Sequence, residues 1–148
     1  MTREIEFRAW LKNDKVMTGK VLQITDNPSV QYIKFDKIEN WKGNQLNNPT
    51  FADLRDVVLM QYTGLKDKNG SKIFESDIVE IKRVKIKRNK NKNTFIDKVI
   101  YNNELCGFRF EGLADDYLDF YDWLNEGAEL RVIGNIYENP ELLGVEND

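Results

Sequence analysis

Seven basic side chains crowd eleven consecutive positions: Lys82, Arg83, Lys85, Lys87, Arg88, Lys90 and Lys92. Their chemistry is charge neutralisation. Lysine and arginine on a projecting hairpin displace counterions from a phosphate backbone, so such a patch binds nucleic acid with a steep salt dependence. The run also has a plainer reading. Lysine on an exposed edge strand keeps that edge from pairing with other chains, and charge runs are often only solvated. Base stacking needs aromatic side chains, and Phe95 alone is close by. A third reading pairs the run with the acidic stretch Asp115–Asp122, between subunits or on a host protein, because opposite patches steer association.

Groups that make or break bonds are scarcer. The chain has no histidine, which removes the usual general base near neutral pH and the commonest metal ligand. A Ser–His or Cys–His couple is therefore impossible. Cys106 is the single cysteine and falls in the apolar run Leu105–Phe110, so a buried, inert thiol is expected. One cysteine without histidine makes neither an internal disulfide nor an ordinary zinc site. Asp77 with Glu80-Ile81-Lys82 imitates the spaced acid plus Glu-x-Lys of magnesium nucleases, where carboxylates hold the ion and the lysine faces the phosphate. A strand with alternating charged residues facing water explains the same letters. Asp67-Lys68-Asn69-Gly70 reads as a turn and not a calcium loop, because its glycine is fourth from the aspartate and such loops turn at the sixth position. No Gly-rich phosphate loop is present. These residues predict a chain that binds and does not catalyse, with no catalytic residue, metal or cofactor.

The elements that must carry these residues are short strands. Of 148 residues, 41% are apolar and 32% charged, an ordinary balance for one domain or two very small ones. Eight Phe, six Tyr and three Trp favour strands. Ile5, Phe7, Ala9 and Leu11 alternate with polar neighbours, Val21–Ile24 is apolar, and Asn27-Pro28 turns the chain into Val30–Phe35. These pieces predict an N-terminal β-meander lobe over 1–38. The polar, Asn-rich stretch 39–50 reads as a linker or loop. A C-terminal, barrel-like lobe then covers 51–148, opening with one helical turn at Phe51–Asp56; the alternative is a single compact domain over 1–143. Within the second lobe, Val57–Met60, Ile78–Ile81, Thr94–Tyr101, Leu105–Phe110 and Leu130–Ile133 read as strands, and Asn69-Gly70 marks a hairpin turn. One short helix is predicted near 115–125, where Leu113, Tyr117, Phe120, Tyr121 and Leu124 fall near helical spacing and Gly127 ends it. The expected fold class is mainly β, with small, strongly bent antiparallel sheets of barrel-like form.

The net charge of -3 argues against wholesale coating by nucleic acid. No apolar run approaches the ~20 residues that span a bilayer, and the charged Met1–Glu4 does not read as a signal peptide. A lone cysteine fits a reducing, cytoplasmic setting.

Three blocks resemble one family. Met60-Gln61-Tyr62-Thr63-Gly64-Leu65-Lys66-Asp67-Lys68-Asn69-Gly70, then Ile73-Phe74-Glu75-Ser76-Asp77-Ile78-Val79, is similar to the central signature of the YopX family of phage and prophage proteins. Arg3–Trp10 with Lys15-Val16-Met17 is similar to its opening, and Val132–Leu143 to its closing. The blocks lie in order and span nearly the whole chain. The departure is Ser76, where the family pattern usually has glycine, the residue that takes every backbone angle freely. The resemblance implies a mostly β fold and a temperate-phage origin, hence the cytoplasm of a bacterial host, and it carries over no site residue. The functional expectation is an accessory protein serving as a protein-interaction or self-assembling module. Its expected partners are a second copy or a host or phage protein, and not a membrane. The alternative is a nucleic-acid-binding module using the basic hairpin 82–92, and the remote alternative is the magnesium nuclease.

Overall fold

The computed structural model describes residues 4–43, 48–83, 94–112 and 127–144. The protein is mostly β, and every strand pairing described is antiparallel. Its internal contacts group it into two compact units, Met1–Tyr62 and Thr63–Asp148.

In the first unit, β1 (Phe7–Leu11) pairs with β2 (Val16–Met17) on one side. On the other it pairs with the start of β6 (Val57–Lys66), from Phe7↔Gln61 to Leu11↔Val57. A second sheet runs in the order β3 (Val21–Asp26), β4 (Gln31–Phe35), β5 (Phe51–Asp53). The strands expected to form an opening meander are thus divided between two sheets. Phe51–Asp53, expected at the head of the second lobe, pairs with β4 instead. A single 3-10 turn at Leu54–Asp56 follows, capped by the Asp53 side chain, so the expected helical turn is half strand. Alternation decides which faces are buried. Ile33 and Phe35 on β4 are fully buried and pack with Ala9, Leu11 and Ile38. Burying each large side chain of this kind contributes about 1.5–3 kcal/mol. Thr18 is the polar exception: its hydroxyl accepts from the Ala9 N–H and donates to the Gly19 carbonyl, each at 2.9 Å, so nothing is left unsatisfied.

In the second unit, the end of β6 neighbours β7 (Lys72–Phe74). The main sheet has the order β10 (Gly107–Phe110), β9 (Thr94–Asn102), β8 (Asp77–Arg83), β11 (Ala128–Asn135). Val79 and Ile81 on β8, Val99 on β9, Phe110 on β10 and Leu130 on β11 point to one face and join Ile73 in a closed apolar core. A register shift between Val132 and Gly134 places a bulge in β11, and such bulges bend a strand. Glu141–Gly144 forms a short helix. The helix expected near 115–125 lies outside the described residues.

Candidate functional site

Of the basic run, only Lys82 and Arg83 belong to the described residues, at the end of β8. Lys85, Lys87, Arg88, Lys90 and Lys92 lie outside them. Lys82 is exposed and stands directly opposite Glu129 on β11 and Thr94 on β9. Two positions back on the same face, Glu80 accepts from Arg131 at 3.1 Å. Lys98 and Glu111 approach to 3.3 Å, and Lys68 and Glu129 to 3.7 Å. The described part of this face therefore alternates in sign. Such exposed pairs contribute about 0–1 kcal/mol each, so they balance charge more than they hold the fold. Arg83 turns to the other face, its guanidinium 5.4 Å from the Phe95 ring centroid. The edge-strand reading of these lysines is corrected within Asp77–Arg83: β8 is interior, flanked by β9 and β11.

The three nuclease letters do not converge. Asp77 is buried and accepts the Phe74 N–H at 2.8 Å. Glu80 and Lys82 sit on the opposite face of the same regular strand, since successive side chains alternate. Among the described residues, no three His, Cys, Asp or Glu side chains gather to hold a metal ion. Cys106 also departs from expectation. It is exposed, with φ 51°, in the turn between β9 and β10, its Sγ 3.5 Å from the Asn103 carbonyl. The apolar strand begins one residue later, at Gly107, and the four-residue turn takes the cysteine out of the core.

The stretch that carries the family resemblance builds a corner. Asp67 is nearly buried; its carboxylate accepts from Asn69 N and Ser71 N at 2.9 Å, and from Val132 N at 2.9 Å, across 65 positions of sequence. Burial alone would raise the Asp67 pKa; the N–H donors of Val132, Ser71 and Asn69, with Lys68 beside them, outweigh it and hold the carboxyl below its usual range. The Lys68 N–H donates to the Leu130 carbonyl at 2.9 Å. Gly70 supplies the left-handed step of this turn, φ 85°. Ser76 takes the same kind of step, φ 70°, with its N–H on the Val99 carbonyl and its carbonyl receiving the Ile136 N–H. The corner keeps a glycine-type angle although the residue is serine.

Exposed apolar side chains that sequence reasoning passed over lie on the first unit's three-stranded sheet, Ile24 opposite the buried Ile33 and Phe51 on the other face opposite Lys34. Leu22 is 55%, Ile24 43% and Phe51 57% exposed, and Val30 is exposed too. Phe51 lies 5.8 Å from the Tyr32 ring, with the Lys34 ammonium 5.8 Å from its centroid. Beside it opens a cleft of about 160 Å³ lined by Leu11, Phe51, Ala52, Asp14, Asp53 and Asp56. The hydrogen bonds from the Arg55 side chain and N–H hold the Asp53 carboxyl down at about 2. A signal was present: Val21-Leu22-Gln23-Ile24 has three apolar residues in four positions, more than one face of a strand can hide.

The YopX protein family model matches residues 6–144 of this chain. The chain belongs to the YopX family. Among solved structures, the crystal structure of protein EF1440 from Enterococcus faecalis is similar to this YopX protein, with 29% identity, a TM-score of 0.62, and coverage of 96% of this chain and 99% of that one. No curated protein matches the chain. The family match takes in all eleven strands found among the described residues of this YopX protein. In the structure, the signature residues Asp67, Ser76 and Asp77 make backbone hydrogen bonds within the second unit. No helix among the described residues is long and apolar enough to cross a membrane.

Proposed function

We propose that this YopX protein is a phage or prophage accessory protein that acts by binding protein, and not by catalysis, through the three-stranded sheet of its first unit. The observation that supports this reading is the exposed apolar set Leu22, Ile24, Val30 and Phe51 on that sheet. Phe51 is exposed on one face of the sheet, opposite Lys34, while Leu22 and Ile24 are exposed along its β3 end, and a bound protein would take these side chains out of water. The competing nucleic-acid reading draws little from the described residues, because Lys82 faces Glu129 and Glu80 engages Arg131.

The test is affinity capture from infected cells with the wild type and with a Val30→Ser, Phe51→Ser variant, matched for thermal stability, together with sedimentation of the purified chain. Loss of a captured protein or of self-association in the variant supports the reading. Capture and sedimentation that both ignore these side chains overturn it. Oligonucleotide retention that falls steeply with added salt would transfer the function to the basic run.

A further inference from the structure

Among the described residues β3 pairs with β4 alone, so it forms an end of its sheet. Monomeric proteins blunt such edges with mid-strand lysine, proline, inward charge, a bulge or a covering loop; β3 has a bulge near its start, at Leu22, and none of the others along Gln23–Thr25 among the described residues. The middle of β3 carries no charge, and Leu22 and Ile24 stand in water there beside Gln23. The charges stand at the ends: Lys20 just before the strand and Asp26 as its last residue. Both are exposed, and neither is held in an ion pair with a described residue. The bulge at Leu22 leaves Gln23–Asp26 in regular register against β4, an extended template of four residues.

We propose that β3 is a self-pairing edge, on which a second copy of this chain docks antiparallel, β3 to β3. This deepens the protein-interaction reading and rests on it. A two-fold contact requires a patch complementary to itself, and β3 has that property. Antiparallel pairing brings Lys20 of each copy to the Asp26 end of the other, twice over, and covers Leu22 and Ile24 of both. Main-chain hydrogen bonds between the edges supply affinity, and the flanking side chains fix direction. A parallel pair would set Lys20 against Lys20 and Asp26 against Asp26, like charges that oppose it. The result joins two three-stranded sheets into one of six.

Sedimentation velocity of the full chain over about 1–100 µM tests this, with thermal melts as the control for folding. The wild type is expected to form a dimer whose fraction rises with concentration. Ile24→Lys is expected to weaken it by about tenfold or more. Lys20→Glu and Asp26→Lys should each weaken it, and the double variant Lys20→Glu, Asp26→Lys should restore it, because the swap recreates both pairs. A merely structural role for these residues would not give that rescue. A monomer throughout the range overturns the proposal, as does a dimer indifferent to Ile24→Lys or single variants that the double fails to rescue. Those failures are distinct from failure of the broader reading, which is decided by capture and sedimentation of the Val30→Ser, Phe51→Ser variant.

Discussion

In the second unit, the outer edge of β11 is covered by the chain itself: the Asp67 carboxylate takes the Val132 N–H and the Lys68 N–H reaches the Leu130 carbonyl. In the first unit, β3 has no such cover among the described residues and carries Leu22 and Ile24 in water. Both are ends of small antiparallel sheets, so the difference is not imposed by sheet geometry. It follows from where polar turn residues were placed. One turn is rich in groups that satisfy a neighbouring backbone; the Asn27-Pro28-Ser29 turn beside β3 satisfies only its own, with Asn27 accepting from Ser29 and Val30. The residues most similar to the family signature are thus occupied in closing an edge, and the surface open to a partner lies elsewhere.

The comparison can be broken hardest at Asp67. Asp67→Ala removes the acceptor of three N–H groups, one of them 65 positions away. With hydrogen bonds to a charged group contributing about 1.5–3 kcal/mol each and acting together, a loss of about 3 kcal/mol in urea denaturation is expected. Amide exchange at Val132 should rise with it. The same group sets an acid dependence. Its folded pKa lies below the unfolded value, so its contribution is complete above the unfolded pKa of about 3.9 and is lost as pH falls through the folded pKa. The wild type should therefore lose stability on acidification below about pH 4 more steeply than Asp67→Ala.

Next in size is Gly134→Ala beside the β11 bulge. A Cβ there would meet Asn139 Oδ1 at 2.5 Å and its Cβ at 2.9 Å. The Asn135–Asn139 turn would have to move, at a cost of about 2 kcal/mol measured by chemical denaturation. Ser76→Gly acts in the other direction. A left-handed residue with a Cβ costs about 1–2 kcal/mol, and glycine returns part of that through its freer unfolded chain, so a gain of up to about 1 kcal/mol is expected. The smallest effect sharpens the comparison from its other side. Ile24→Lys on the bare edge should change stability by less than about 0.5 kcal/mol, because the side chain is already half in water. A large loss there would mean that β3 is a supported core strand, and the contrast between the two edges would fall.

Much of the secondary structure was legible. Alternation located β1 and β4, apolar runs located β8 and β9, and Asn69-Gly70 and Asn27-Pro28 located turns by residues whose backbone preferences act locally. Partner choice was not legible. β1 alternates as a strand whichever neighbour it takes, and its pairing with Val57–Gln61 depends on residues far along the chain. Cys106 shows the same limit at close range. Its run looks apolar, but Asn102 accepts the Leu105 N–H within a turn that runs through the cysteine, leaving the thiol in water. Charge was legible in number and not in arrangement, since Glu129 and Arg131 oppose Lys82 and Glu80 only once β11 lies beside β8.

By itself the sequence determined the β character, the turns at Asn27-Pro28 and Asn69-Gly70, the family to which the chain is similar and the lack of histidine chemistry, because these depend on residue type and local spacing. Only the tertiary structure decided that Asp67 reaches Val132, that β8 is an interior strand and that β3 ends a sheet. Those facts depend on which strands become neighbours, and hydrogen bonds between backbones are blind to the side chains that sequence patterns record.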